Sequence, residues 1–135
     1  MADNVAAPET KVVTPFERLG GEDAIRRIVE RFYDVMEADP AAAQIRAMHT
    51  ADLAVMRSKL ADWMIGALGG PPLYAQRKDR GCMGSVHKAF PIGEEDVEQW
   101  MYCLRTAWAV ENVDPALQDL LDKPFKDMAT MMRSR

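Results

Sequence analysis

The chain has 135 residues, with 17 Lys plus Arg against 21 Asp plus Glu and a net charge of −4 at pH 7. The hydrophobic share of 48% and charged share of 28% describe a globular chain rather than a disordered one, and a chain this size buries roughly two-thirds of its unfolded surface. The acidic balance argues against a general electrostatic nucleic-acid binder; no apolar run approaches the ~20 residues of a membrane span, and the N-terminus lacks the basic-then-apolar pattern of a secretion signal, so the expected location is the cytoplasm.

Residues 1–14 mix Ala, Pro, Thr and Glu without periodicity and are expected to form a flexible leader to one domain spanning 15–135. After the Gly20-Gly21 break, Ile25, Ile28, Val29, Phe32, Tyr33 and Met36 recur at helical spacing. Glu22 and Asp23 suit that helix's N-terminus, and Asp39-Pro40 ends it. A second helix is predicted over 51–68, capped by Thr50, with Leu53, Met56, Leu60, Trp63, Met64 and Ala67 on its inner face; the glycines and prolines at 69–72 stop it. Residues 73–93 lack a clear period and read as loop with one short helix near His87. A third helix is predicted over 94–111, with an acidic first turn and a stripe of Val97, Trp100, Met101, Leu104 and Trp108. Asp114 and Pro115 open a fourth as cap and first-turn proline. Leu117, Leu120, Leu121, Phe125, Met128 and Met132 supply its inner face, and Pro124 predicts a kink. With no strand alternation and no hairpin turn, the class is all-α.

Most enzyme templates find no match: the chain has no glycine-rich phosphate loop, no G-x-S-x-G and no H-E-x-x-H. Two cysteines, Cys82 and Cys103, make neither a disulfide framework nor a zinc signature; Cys82 is expected at the surface and Cys103 in the core. Glu94-Glu95 reads as a helix start rather than an acid/base couple. The two histidines, His49 and His87, are too few for a zinc site with these distant thiols. One imidazole suffices for a haem iron, because the porphyrin supplies the other ligands, and the absence of C-x-x-C-H excludes thioether attachment. The stripes offer large, pliable side chains for an apolar slot: Met56, Leu60, Trp63, Met64, Trp100, Met101 and Leu104. The same residues describe an ordinary core. Tyr33 is readable as a core tyrosine bonded to a carbonyl, and His87 as a structural or exposed histidine.

A set of motifs in order resolves these alternatives by resemblance: FERLGG at 16–21, RFYD at 31–34, IRAMHTADL at 45–53, GGP at 69–71 with Tyr74 after it, HKAFPIG at 87–93, and Trp100 following His87 by 13 positions. Together they resemble the truncated haemoglobins, and among them group II, over 15–135. The resemblance implies a truncated globin fold, a two-over-two helical sandwich around haem b (iron protoporphyrin IX). It places the iron ligand at His87 and distal, ligand-facing groups at Tyr33, Trp100 and His49; for His49 a solvent-facing capping role is the alternative. Cofactor contacts are expected from Lys59, Leu60, Trp63, Tyr74, Arg77, Met83, Phe90, Trp100 and Leu104, while Met56 stands where many globins carry a polar gate. The chain departs from the family pattern at Val86, where arginine is common, at residues 80–83, where G-H-P is usual, and at Thr50, which replaces a common proline. The propionates must then find cations elsewhere, and Lys59, Arg77, Lys78 and Arg80 are the candidates, along with the Tyr74 hydroxyl.

Inward-facing Tyr33 and Trp100 would supply two hydrogen-bond donors to a diatomic ligand that gains negative charge. The function implied is reversible binding of O2, NO, CO or similar small ligands. The alternative is nitric-oxide dioxygenation or peroxide chemistry dependent on an external reductase, so enzymatic turnover stays open. A cofactor-free helical interaction module is the third reading. Neither nucleic acid nor membrane is an expected partner, and a homodimer is compatible with the chain.

Overall fold

The computed structural model describes residues 13–80 and 91–134. Chain order within them is α1 (Pro15–Leu19), α2 (Glu22–Ala38), a 3-10 turn (Pro40–Ala42), α3 (Ala43–Ala47), α4 (Ala54–Ala67), α5 (Glu94–Val110) and α6 (Pro115–Met131). No strand occurs among the described residues. The four long predicted helices are α2, α4, α5 and α6. The expected short helix near His87 falls outside the described residues.

The stripe read on α2 is the molecule's spine. Ile25, Ile28, Val29, Phe32, Tyr33 and Met36 are all at most 2% exposed, and α2 packs on both α4 and α5, while α5 packs on α6. Trp108, Met101 and Leu104 of α5 and Met64 and Ile65 of α4 close the core from the two sides.

Two short helices, α1 and α3, were not expected. Thr14 and Glu17 form a reciprocal capping box around Pro15 and so start α1. The α1 helix is docked by the Phe16 amide, which donates to the Leu68 carbonyl at 2.8 Å. That docking explains the glycine pair after α4. A Cβ on Gly70 would stand 2.6 Å from the Phe16 ring, and one on Gly69, whose φ is +106°, would stand 2.7 Å from Thr14 Cβ.

Local corrections are needed at two places. The α4 helix starts at Ala54, not 51, and Thr50 does not cap it: Asp52 Oδ1 accepts from the Ala54 amide at 2.9 Å, while the Thr50 hydroxyl donates to the Asp52 carbonyl. Leu120 lies outward, 54% exposed, and Ala67 is exposed as well; both fit the helical period loosely and sit at the edge of the buried arc. The α6 helix runs through Pro124, where one amide donor is missing from the helical ladder. The expected Asp114 cap is present, with Oδ1 accepting from the Ala116 amide at 3.3 Å.

Candidate functional site

A cavity of about 330 Å³ opens between α2, α4, α5 and α6. The α2 helix contributes Tyr33, and α4 contributes Met56, Lys59, Leu60 and Trp63. From α5 come Asp96, Val97 and Trp100, and from α6 Met128 and Ala129, with Met132 just beyond. Ile45, Met48, His49 and Thr50 line it from α3 and the turn after it, and Tyr74 and Ile92 from the connecting segment. Residues spread over a hundred positions of sequence thus share one wall, because each helix turns the same stripe inward that packs its own core.

Eight residues singled out for the site in the sequence meet there: Tyr33, His49, Met56, Lys59, Leu60, Trp63, Tyr74 and Trp100. The structure puts others elsewhere, Met64 and Met101 among them, both buried in the core. Leu104 is fully buried one turn beyond Trp100 and belongs to the core. The Arg77 guanidinium is engaged by Asp62 Oδ2 at 2.8 Å, Asp79 at 2.7 Å and the Ser58 hydroxyl at 2.8 Å, and its pKa is pushed above the ordinary arginine value, chiefly by Asp79 and Asp62. Arg80 donates to the Arg77 carbonyl and is exposed, as is Lys78. His87, Met83 and Phe90 lie outside the described residues.

The aromatic groups form a connected array. Tyr33 meets Phe32 edge to face at 4.9 Å between ring centroids and His49 at 6.0 Å. Trp100 meets Phe32 at 5.3 Å and Phe125 at 6.3 Å, and Trp63 meets Phe125 at 6.4 Å. Edge-to-face geometry holds such rings in defined planes. His49 Nδ1 lies 2.8 Å from the Ile45 carbonyl; a carbonyl only accepts, so Nδ1 carries the proton. Tyr33 is 2% exposed. Burial raises its pKa well above the ordinary phenol value, against the opposing charge of Arg57, so the hydroxyl keeps its proton.

Sequence reasoning missed Asp96 as a wall residue. The residue is 4% exposed, and its carboxylate accepts from the Gly93 amide at 2.8 Å and the Gln44 side chain at 2.6 Å. In the sequence it is one of three acids in a first turn, and nothing local separates it from Glu94 and Glu95. Among the described residues no three His, Cys, Asp or Glu side chains converge as a metal site.

The profile of the bacterial-like globin family matches residues 14–134. The chain belongs to that family. It is similar in structure to the group II haemoglobin of Agrobacterium tumefaciens, with TM-score 0.86 and 32% identity over 93% of this chain and 98% of that one. This globin is a truncated haemoglobin of group II. The cold-adapted truncated haemoglobin of Pseudoalteromonas haloplanktis gives TM-score 0.84 and 33% identity over 90% and 98%. The group 2 truncated hemoglobin YjbI of Bacillus subtilis is 25% identical over 107 residues, which are 79% of this chain and 78% of that one. The truncated globin fold therefore holds for this chain, with α2 and α4 set against α5 and α6.

Membership implies haem as the cofactor, and the described residues fit one. The wall is largely aliphatic and aromatic, as a porphyrin face requires, and Lys59 and Tyr74 bring an ammonium and a phenol hydroxyl to it, groups suited to carboxylate side arms. Among the described residues no helix is long and apolar enough to cross a membrane.

Proposed function

We propose that this globin holds haem b through His87 and binds dioxygen and other diatomic gases reversibly. The haem, when bound, supplies an iron centre at which a diatomic ligand coordinates. The observation that carries the reading is that the Tyr33 phenol and the Trp100 indole line one apolar cavity together with Leu60 and Trp63. Leu60, Trp63, Met83 and Phe90 would hold the macrocycle, and Lys59 and Tyr74 its carboxylates. Tyr33 and Trp100 act as donors toward negative charge on the ligand, with His49 beside Tyr33. Their apolar surroundings exclude competing water and strengthen both hydrogen bonds. Met56 adds only a weakly accepting thioether.

An absorption spectrum of the purified protein, with its haem content, is the first test: a Soret band that survives gel filtration is expected, and a colourless protein that fails to take up added haemin would refute the reading. His87→Gly should lose axial ligation and regain it with added imidazole. A ligated spectrum unchanged by that substitution would remove His87 from its role.

A further inference from the structure

The Arg57 guanidinium lies over the Tyr33 ring, with Cζ 5.7 Å from the ring centroid. It reaches there from α4, the helix that also brings Met56 and Leu60 to the cavity wall, and its side chain is 18% exposed. Three carboxylates of α2 hold it. Nη1 meets Glu30 Oε1 at 2.7 Å and donates to the Glu30 carbonyl at 3.0 Å. Nη2 meets Asp34 Oδ1 at 3.0 Å and Glu37 Oε1 at 3.4 Å. Those acids stand one turn before Tyr33, beside it, and one turn after it on the same helix. A lone exposed ion pair contributes little; here a planar fork is held at both ends above the ring of a buried phenol.

We propose that Arg57 is a positioning residue for Tyr33, fixing the plane of its ring and strengthening its hydroxyl as the donor into the cavity. This rests on the reading of Tyr33 as a donor to the bound diatomic. A cation over a ring face is attracted by the ring's quadrupole and draws electron density from the ring, which makes the phenol a better proton donor. The same charge opposes the rise in pKa that burial gives Tyr33. Lysine carries the charge without the plane that can stack on the ring or bridge several carboxylates, so Arg57→Lys separates geometry from charge.

The test uses the haem-loaded protein with ring-labelled tyrosine. The chain has 3 tyrosines, so Tyr33→Phe assigns the signal directly. In the ferrous CO form the two edges of the Tyr33 ring should give separate NMR resonances, which merge in both Arg57→Lys and Arg57→Met as the ring begins to flip. The CO stretch should rise in both variants as the hydrogen bond weakens, and further in Arg57→Met, where the charge is lost as well as the plane. O2 dissociation should accelerate roughly 3–5-fold in Arg57→Met, and by less than about 1.5-fold when the same change is made in Tyr33→Phe. Separate resonances that persist in both variants, or equal acceleration in both backgrounds, would overturn the proposal and leave Arg57 as a tie between α4 and α2. If Tyr33→Phe itself changes neither the CO stretch nor O2 release, the donor reading of Tyr33 fails; the ring resonances then decide whether Arg57 fixes the ring.

Discussion

Tyr33 and Trp100 reach the same cavity with different surroundings. Tyr33 is packed between Phe32 and His49 and is kept protonated by burial, while Trp100 lies against Phe32 and Phe125 and carries a donor that does not titrate. A hydrogen bond to a charged acceptor is worth about 1.5–3 kcal/mol, so Trp100→Phe is expected to speed O2 dissociation roughly 10–100-fold in stopped-flow measurements. Met56 has no proton to donate, and Met56→Leu should change that rate by less than about twofold. Cys103 is fully buried, and burial, with the charge of Asp39, pushes its thiol up to about 12. Peptide mapping after iodoacetamide at pH 8 should find Cys103 unmodified in the native protein and modified after denaturation. The inward positions of Tyr33 and Trp100 were legible because each lies on an apolar stripe of helical period. Asp96 was not, because an acid in a first turn looks alike whether it faces water or a cavity.

At the scale of the elements, the end of α4 and the loop after it depend on a single carboxylate. Asp62 receives Arg26 Nη2 and Arg77 Nη1, each at 2.8 Å, so it joins α2, α4 and the segment that carries Tyr74. Its burial favours the neutral acid, but the two arginines outweigh that and hold its pKa below the ordinary carboxylate value. A folded-state pKa below the unfolded one stabilises the protein above the unfolded value of about 3.9, and this stability is lost as pH falls through the folded value. Asp62→Asn should therefore cost about 2 kcal/mol at pH 7, measured by urea unfolding, with the deficit shrinking below about pH 4. Gly70→Ala should destabilise by about 1–3 kcal/mol through the forced shift of Phe16, seen as a lowered melting temperature. The short helices α1 and α3 escaped the periodicity reading because five residues do not complete two turns, although the Thr14–Glu17 box that starts α1 was written in the sequence. Thr50 was a chemically reasonable cap. The chain uses Asp52 instead because Leu53 is drawn into the core, 4% exposed, immediately before the first turn.

Over the whole molecule, the cavity exists because α2 and α4 are held against α5 and α6. The second pair is fastened by Arg105, whose guanidinium meets Asp122 with two bonds of 2.7 and 2.8 Å. Its side chain is 41% exposed, so the fork serves orientation more than stability. Replacing the core around the cavity is another matter: Phe125 touches Trp63, Trp100 and Trp108, and Phe125→Ala should cost about 3–5 kcal/mol in chemical unfolding, with haem transfer to an apoglobin acceptor faster than from the parent protein. By itself the sequence determined the all-α class, the four long helices and most of the residues each turns inward, since the 3.6-residue period and the glycine and proline breaks are local properties of the chain. Only the tertiary structure decided that Leu104 fills the core while Trp100 reaches the cavity, that Arg77 is engaged by Asp62, and that Arg57 covers Tyr33. Those outcomes depend on how helices distant in sequence cross, and a crossing is set by the fit of whole faces rather than by the spacing along any one of them.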